Sequence, residues 1–194
     1  MIKIASALMV GLAVAGSAQA ADFTGPTLFV AAGYNSLELD AARVNAGSAR
    51  SNRGRGIVGA GYDFRLTDHI VAGVAVSAAF GDQQICAAAA ANRYCVDVGT
   101  ELSALARAGY VVSPKVMLFG EAGYATAAAR ATYTNALIPR RNSIKTGDLS
   151  GLQLGLGAEI ALSRRSYARL TYRYTNYWCG IEQSQLLAGV GLRF

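Results

Sequence analysis

The sequence predicts an all-β fold, an eight-stranded antiparallel up-and-down transmembrane β-barrel with short periplasmic turns and long extracellular loops. Three observations predict it. Apolar and polar residues alternate at a period of two over eight segments of about ten residues, the length a tilted membrane-spanning strand requires. Short and long connections alternate strictly between those segments, so each set lies at one end of the sheet. Aromatic residues gather towards both ends of the apolar face, as interfacial girdles do.

The amino terminus is set apart from this pattern. Lys3 precedes an apolar run from Ile4 to Ala15, and Ala18-Gln19-Ala20 reads as an A-x-A cleavage site. Residues 1–20 are therefore expected to be a cleaved signal peptide and residues 21–194 one domain. Apolar residues make up 53% of the chain. Yet no later segment has the roughly 18 uninterrupted apolar residues of a transmembrane helix. That leaves a soluble β-protein with a large core, or a membrane barrel.

The first segment, near 26–35, puts Leu28, Val30, Ala32 and Tyr34 on one face. The second, 55–65, alternates Val58, Ala60, Tyr62 and Phe64 with Arg55, Gly59, Gly61, Asp63 and Arg65. The third, 70–80, sets Ile70, Ala72, Val74, Val76, Ala78 and Phe80 against small residues. The fourth, 98–112, points Val98, Leu102, Ala104, Ala106, Ala108, Tyr110 and Val112 outward, opposite Gly99, Glu101, Ser103, Arg107 and Gly109. The fifth, 116–127, is less clean, because Met117 and Phe119 fall on the inward face with Glu121. The sixth, 149–162, alternates Leu152, Leu154, Leu156 and Ile160 with Gln153, Gly155, Gly157 and Glu159. The seventh, 167–175, sets Leu170, Tyr172 and Tyr174 against Arg169, Thr171 and Arg173. The eighth closes the chain: Leu186, Ala188, Val190, Leu192 and Phe194 make one face, and Leu187 is the apolar intruder on the other.

Three connections are tight, at 67–69, 113–115 and 163–166. Four are longer, near 36–54, 81–97, 128–148 and 176–184. A soluble lipocalin-type barrel would reverse the faces, with apolar residues inside and charges outside. Here the polar face is rich in glycine and the aliphatic face is continuous over all eight segments, which favours lipid outside and a narrow lumen within.

The inward charges are Arg55, Asp63, Arg65, Glu101, Arg107, Glu121, Glu159, Arg169, Arg173 and Arg193. Folding the chain about Pro114 sets Arg107 against Glu121, and folding about 163–166 sets Glu159 against Arg169. These are opposite-charge cross-strand pairs. They read as a polar plug that holds register in a barrel too small to keep an open bore, rather than as a gated ion path.

Cys86, Cys95 and Cys179 are the only cysteines. In an oxidising compartment Cys86 and Cys95 can close a small ring, leaving Cys179 over, but three cysteines allow three pairings. No C-x-x-C or Cys/His cluster suggests a metal, and no cofactor is expected. Gly54-Arg55-Gly56-Ile57-Val58-Gly59 satisfies G-x-G-x-x-G, but no helix pattern follows it, so the match is accidental. His69, the single histidine, sits in a short turn away from any lipid-facing serine, which argues against a hydrolase triad.

Net charge is +6. Arg43, Arg50, Arg53, Arg93, Arg130, Arg140, Arg141 and Lys145 lie in the predicted loops, with Tyr94, Tyr133, Tyr177 and Trp178 among or near them. Basic residues beside aromatics suit lipopolysaccharide of the same membrane, or host and surface polyanions, rather than nucleic acid.

The chain resembles the small eight-stranded outer-membrane barrels of Gram-negative bacteria, the opacity-type and OmpA-like family. The resemblance rests on the leader, Gly-Ala-Gly-Tyr-Asp-Phe at 59–64, Leu-Thr-Tyr-Arg-Tyr-Thr-Asn-Tyr at 170–177 and the closing Gly-Val-Gly-Leu-Arg-Phe. It implies an outer-membrane location and a non-enzymatic role in envelope integrity, adhesion or antigen display, with weak channel activity in some members. It also implies that Val190, Leu192 and Phe194 form the assembly signal read by the barrel-assembly machinery, with periplasmic chaperones as partners on the way. The rival functions are a small-solute channel and, further off, a lipid-modifying enzyme.

Overall fold

A computed structural model describes residues 23–39, 49–81, 83–89, 92–135, 141–144, 147–178 and 180–194. The expected signal peptide, Arg43, Arg140, Lys145 and Cys179 lie outside the described residues. The described strands are β1 (Gly25–Leu39), β2 (Ala49–Arg65), β3 (Ile70–Phe80), β4 (Gln83–Ala89), β5 (Asn92–Ser113), β6 (Val116–Asn135), β7 (Arg141–Ile144), β8 (Leu149–Ala161), β9 (Ser166–Tyr177) and β10 (Ile181–Arg193). Eight of them close a barrel in the order β1-β2-β3-β5-β6-β8-β9-β10, every pair antiparallel. β10 returns to β1 along a register from Thr27↔Arg193 to Leu39↔Ile181, so the sheet has no free edge there.

Each tight turn is held by a hydroxyl that accepts backbone amides, as turn-forming Ser and Thr do. Thr67 Oγ1 accepts the Ile70 amide at 3.0 Å. Ser163 Oγ accepts the Arg165 and Ser166 amides at 3.2 and 3.1 Å. The outer wall is aliphatic and bare: Val76, Leu102, Leu152, Leu154, Leu156, Val190 and Leu192 are all exposed, Leu156 to 70%. A wall of this kind is stable against hydrocarbon and would drive aggregation in water. Tyr62, Phe64, Tyr110 and Phe194 ring the turn end, and Tyr34, Phe80, Tyr124 and Tyr172 ring the loop end.

Three expectations need correction. The connections at 81–97 and 128–148 are not plain loops. β5 runs for 22 residues and β6 for 20, and their upper halves pair with each other and with β4 and β7 as an extension of the barrel wall. Cys86 and Cys95 are direct register partners in that extension and form a disulfide.

Val98 is the second. It is expected on the lipid face with Leu102, but is 1% exposed and points inward. The pairing of β5 with β6 slips between Val98 and Glu101, a bulge that inverts the in–out phase above it. Arg65 is the third: at the end of β2 it is exposed, not in the lumen.

Glycines on the inward face are slots for large neighbours. A Cβ on Gly191 would overlap the Tyr167 ring, and one on Gly157 or Gly59 would overlap Phe119 or Phe29. Each of these aromatics sits directly opposite its glycine on the adjacent strand. The lumen is filled by such fits, as a barrel of eight strands must be.

Candidate functional site

The inward faces of the eight barrel strands converge on a stack of layers. At the turn end Phe23, Val71 and Met117 form a buried apolar seal. Phe23 precedes β1 and folds under the barrel, and nothing in the strand pattern marks it.

Above the seal, four strands contribute alternating charges. Arg107 from β5 lies 3.1 Å from Asp63 of β2 and 2.8 Å from Glu159 of β8. Arg193 from β10 reaches the same two carboxylates, at 3.3 and 2.9 Å. Two cations and two anions thus close a ring in which every charge has two opposite neighbours. The next layer centres on Glu121 of β6, which binds Arg169 at 3.4 Å and Arg173 more closely. Arg173 also donates to Ser77 Oγ at 3.3 Å, itself 3.1 Å from Ser103 Oγ. The Arg169 guanidinium lies 4.5 Å from the Phe29 ring centre and 4.9 Å from that of Phe119, so aromatic faces hold the cation where water cannot.

The third layer is built on Glu101. Its carboxylate accepts hydrogen bonds from Gln153 at 3.2 Å, Gln183 at 2.9 Å and the Tyr177 hydroxyl at 2.9 Å, with Arg55 at 3.5 Å. Arg55 also donates to the Gly99 carbonyl at 3.0 Å, a group that the β5 bulge presents. Leu37, Ile85, Val98, Ala127, Tyr177 and Ile181 then form a second apolar seal at the loop end. Ile85 comes from β4, so the disulfide-linked hairpin is part of that seal.

The structure therefore places Glu101, Arg107, Glu121, Glu159, Arg169, Arg173 and Arg193 in the lumen, all at least nine-tenths buried. It changes their partners. Arg107 and Glu121 do face each other in register, as do Glu159 and Arg169. Neither couple forms an ion pair; the contacts run across the lumen instead. The sequence puts Gln153 on the inward face and Tyr177 among the loop aromatics; the structure instead buries Tyr177 completely, and with Gln183 the three hold Glu101, a role that neutral polar residues carry no charge signal to mark.

Other motifs separate from this stack. His69 lies in the exposed β2–β3 turn with its ring 5.9 Å from that of Tyr110. The G-x-G-x-x-G run is internal to β2. Among the described residues no group of three or more His, Cys, Asp and Glu is placed to hold a metal.

Comparison with known proteins agrees with this architecture. Residues 4–194 match the outer membrane protein beta-barrel domain. The chain belongs to the outer-membrane β-barrel family. No curated protein sequence matches this family member significantly. Among solved structures it is similar to Neisserial surface protein A, with a TM-score of 0.54 at 16% identity, covering 88% of this chain and 98% of that one. It is also similar to Ail, the attachment invasion locus protein of Yersinia pestis, with a TM-score of 0.50 at 14% identity over 88% and 99% of the two chains. Ail in complex with the heparin analogue sucrose octasulfate gives a TM-score of 0.51 at 13% identity, again over 88% and 99%. At these identities the likeness is one of fold. It places this outer-membrane barrel among small barrels whose wall faces lipid.

Proposed function

We propose that this outer-membrane barrel is a sealed, non-enzymatic anchor whose loop-end extension serves surface interaction and envelope integrity. The observation that carries the reading is the closure of the lumen at both ends, with three hydrogen-bonded layers between the seals. An ion crossing it would have to displace paired guanidinium groups in a space without bulk water, which is strongly unfavourable. Planar-bilayer recordings test this: no stable unitary currents are expected. Currents abolished by substituting Arg55 or Glu101 would instead establish a solute channel. A lipid A profile altered by overexpression would argue for a lipid-modifying enzyme.

The finer reading is that the loop end binds polyanions, either lipopolysaccharide or a sulfated surface polymer. Arg50, Arg53 and Arg130 are exposed there, and Arg93 and Arg141 belong to the adjoining strands β5 and β7. The Ail structure holding a heparin analogue supports this choice of ligand. Retention on heparin resin that survives Arg50→Gln, Arg53→Gln and Arg130→Gln together would remove these three from the site. Residues 1–20 act in this reading as a signal peptide cleaved after Ala20, and amino-terminal sequencing of the outer-membrane form checks the cut.

A further inference from the structure

The opposite end of the barrel carries positive charge that the sealed anchor does not use. We propose that the turn end docks anionic phospholipid headgroups of the periplasmic leaflet, held by Lys115, Arg164 and Arg165. All three side chains are exposed. None forms an ion pair with a described residue, whereas every arginine in the lumen does.

Their placement selects the partner. Backbone hydrogen bonds fix both turns to the rim: Ala161 N donates to Lys115 O at 2.8 Å, tying the β5–β6 turn to the end of β8, and Arg193 N donates to Arg165 O at 2.7 Å, tying the β8–β9 turn to β10. Lys115, Arg164 and Arg165 therefore lie along one rigid arc of the rim. That arc is continuous with the lipid-facing wall at Leu118 and Ile160, and is flanked by Tyr110 and Phe194 of the aromatic belt, exposed to 55% and 65%. Interfacial aromatics mark the headgroup level, so cations immediately beyond them stand at the depth of lipid phosphates. A single cation near an anionic leaflet strengthens association about fivefold. Among the described residues, Asp68, in the other turn, and the Phe194 carboxylate next to the arc are the negative groups exposed at this end, so the three cations of the arc outnumber the single anion beside them.

The test uses the full chain folded in phosphatidylcholine bilayers carrying spin-labelled phosphatidylglycerol or spin-labelled phosphatidylcholine. Electron spin resonance then gives the relative affinity of the barrel for the two headgroups. A phosphatidylglycerol preference of about fivefold is expected for one cation per headgroup. The combined Lys115→Gln, Arg164→Gln and Arg165→Gln variant should lose most of it. The matched variant at the other end, Arg50→Gln, Arg53→Gln and Arg130→Gln, should keep most of it. High salt should erase the preference of the unaltered protein, an arm that needs no variant to fold. A preference that persists in the turn variant, or that falls equally in the loop variant, overturns the proposal. So does sedimentation with purified murein sacculi that the turn variant alone loses while lipid preference stays constant, which would give the arc to the cell-wall polymer.

Discussion

Arg107 and Glu121 sit opposite each other on β5 and β6, yet each is ion-paired to other residues. Arg107 reaches across to Asp63 and Glu159, and Glu121 takes Arg169 and Arg173. Strand neighbours in a closed barrel are therefore not the electrostatic partners, because inward side chains extend towards the axis and meet residues of the next strand but one. Such pairing ties non-adjacent strands together and fixes register over the whole circumference. That is a contribution to specificity more than to net stability.

A double-mutant cycle separates these contacts. Glu121→Ala leaves the buried Arg169 and Arg173 without their shared carboxylate, at a cost of about 3–5 kcal/mol, while Arg173→Ala leaves Glu121 paired with Arg169 and should cost less. The Glu121/Arg173 cycle should show a coupling of about 1–3 kcal/mol, and the Glu121/Arg107 cycle below about 0.5 kcal/mol. Urea unfolding in lipid vesicles measures both. Equal coupling in the two cycles would show that register neighbours matter as much as the cross-lumen contacts.

The slot at Gly191 makes a second prediction. The Tyr167 ring fills the space a side chain would need, and Tyr167 is 1% exposed, so it has little room to swing away. Gly191→Ala should destabilise by about 1–3 kcal/mol through overpacking. In a Tyr167→Ala background the same change should cost little, since its obstacle is gone. An undiminished penalty there would locate the strain in the backbone instead.

The contrast between wall and interior explains what the sequence discloses. A period-two pattern states directly which residues face lipid, so Leu28, Val74, Leu156 and Leu192 could be placed before any coordinates. Met117 and Phe119, apolar but inward, could be placed by phase alone. Phase fails where a bulge intervenes, which is why Val98 turns inward although it shares parity with Leu102. Pairing across the lumen fails for another reason: folding a sequence about its turns finds adjacent strands, while Arg193 of β10 and Asp63 of β2 meet only once the barrel has closed. The β4 and β7 strands are short, and Ala87 to Ala89 offer no alternation to read.

The Cys86–Cys95 disulfide closes a short loop in the β4–β5 hairpin, and the hairpin supplies Ile85 to the loop-end seal. On a chain-entropy basis a ring of this size constrains the local unfolded state by about 3 kcal/mol. Cys86→Ser with Cys95→Ser should therefore raise protease cleavage within the hairpin while leaving heat-modifiable gel mobility intact, because the eight barrel strands close without it. Loss of the folded band in that variant would show that the hairpin is needed for closure itself.

Phe194 gives the last prediction, and it divides stability from assembly. The side chain is 65% exposed at the turn-end belt, and its amide donates to the Pro26 carbonyl at 3.0 Å. The ring contributes little to the packed interior, so deleting Phe194 should change urea stability in detergent by no more than about 1 kcal/mol, the scale of a single hydrogen bond. If the closing strand with Val190, Leu192 and Phe194 is what the assembly machinery reads, the same deletion should sharply lower the amount of barrel in the outer membrane. Quantitative blotting of outer-membrane fractions beside refolding of the purified protein gives both numbers. Normal membrane levels would assign Phe194 to the aromatic belt alone. A matching collapse of refolding in vitro would make its role structural, with no recognition step required.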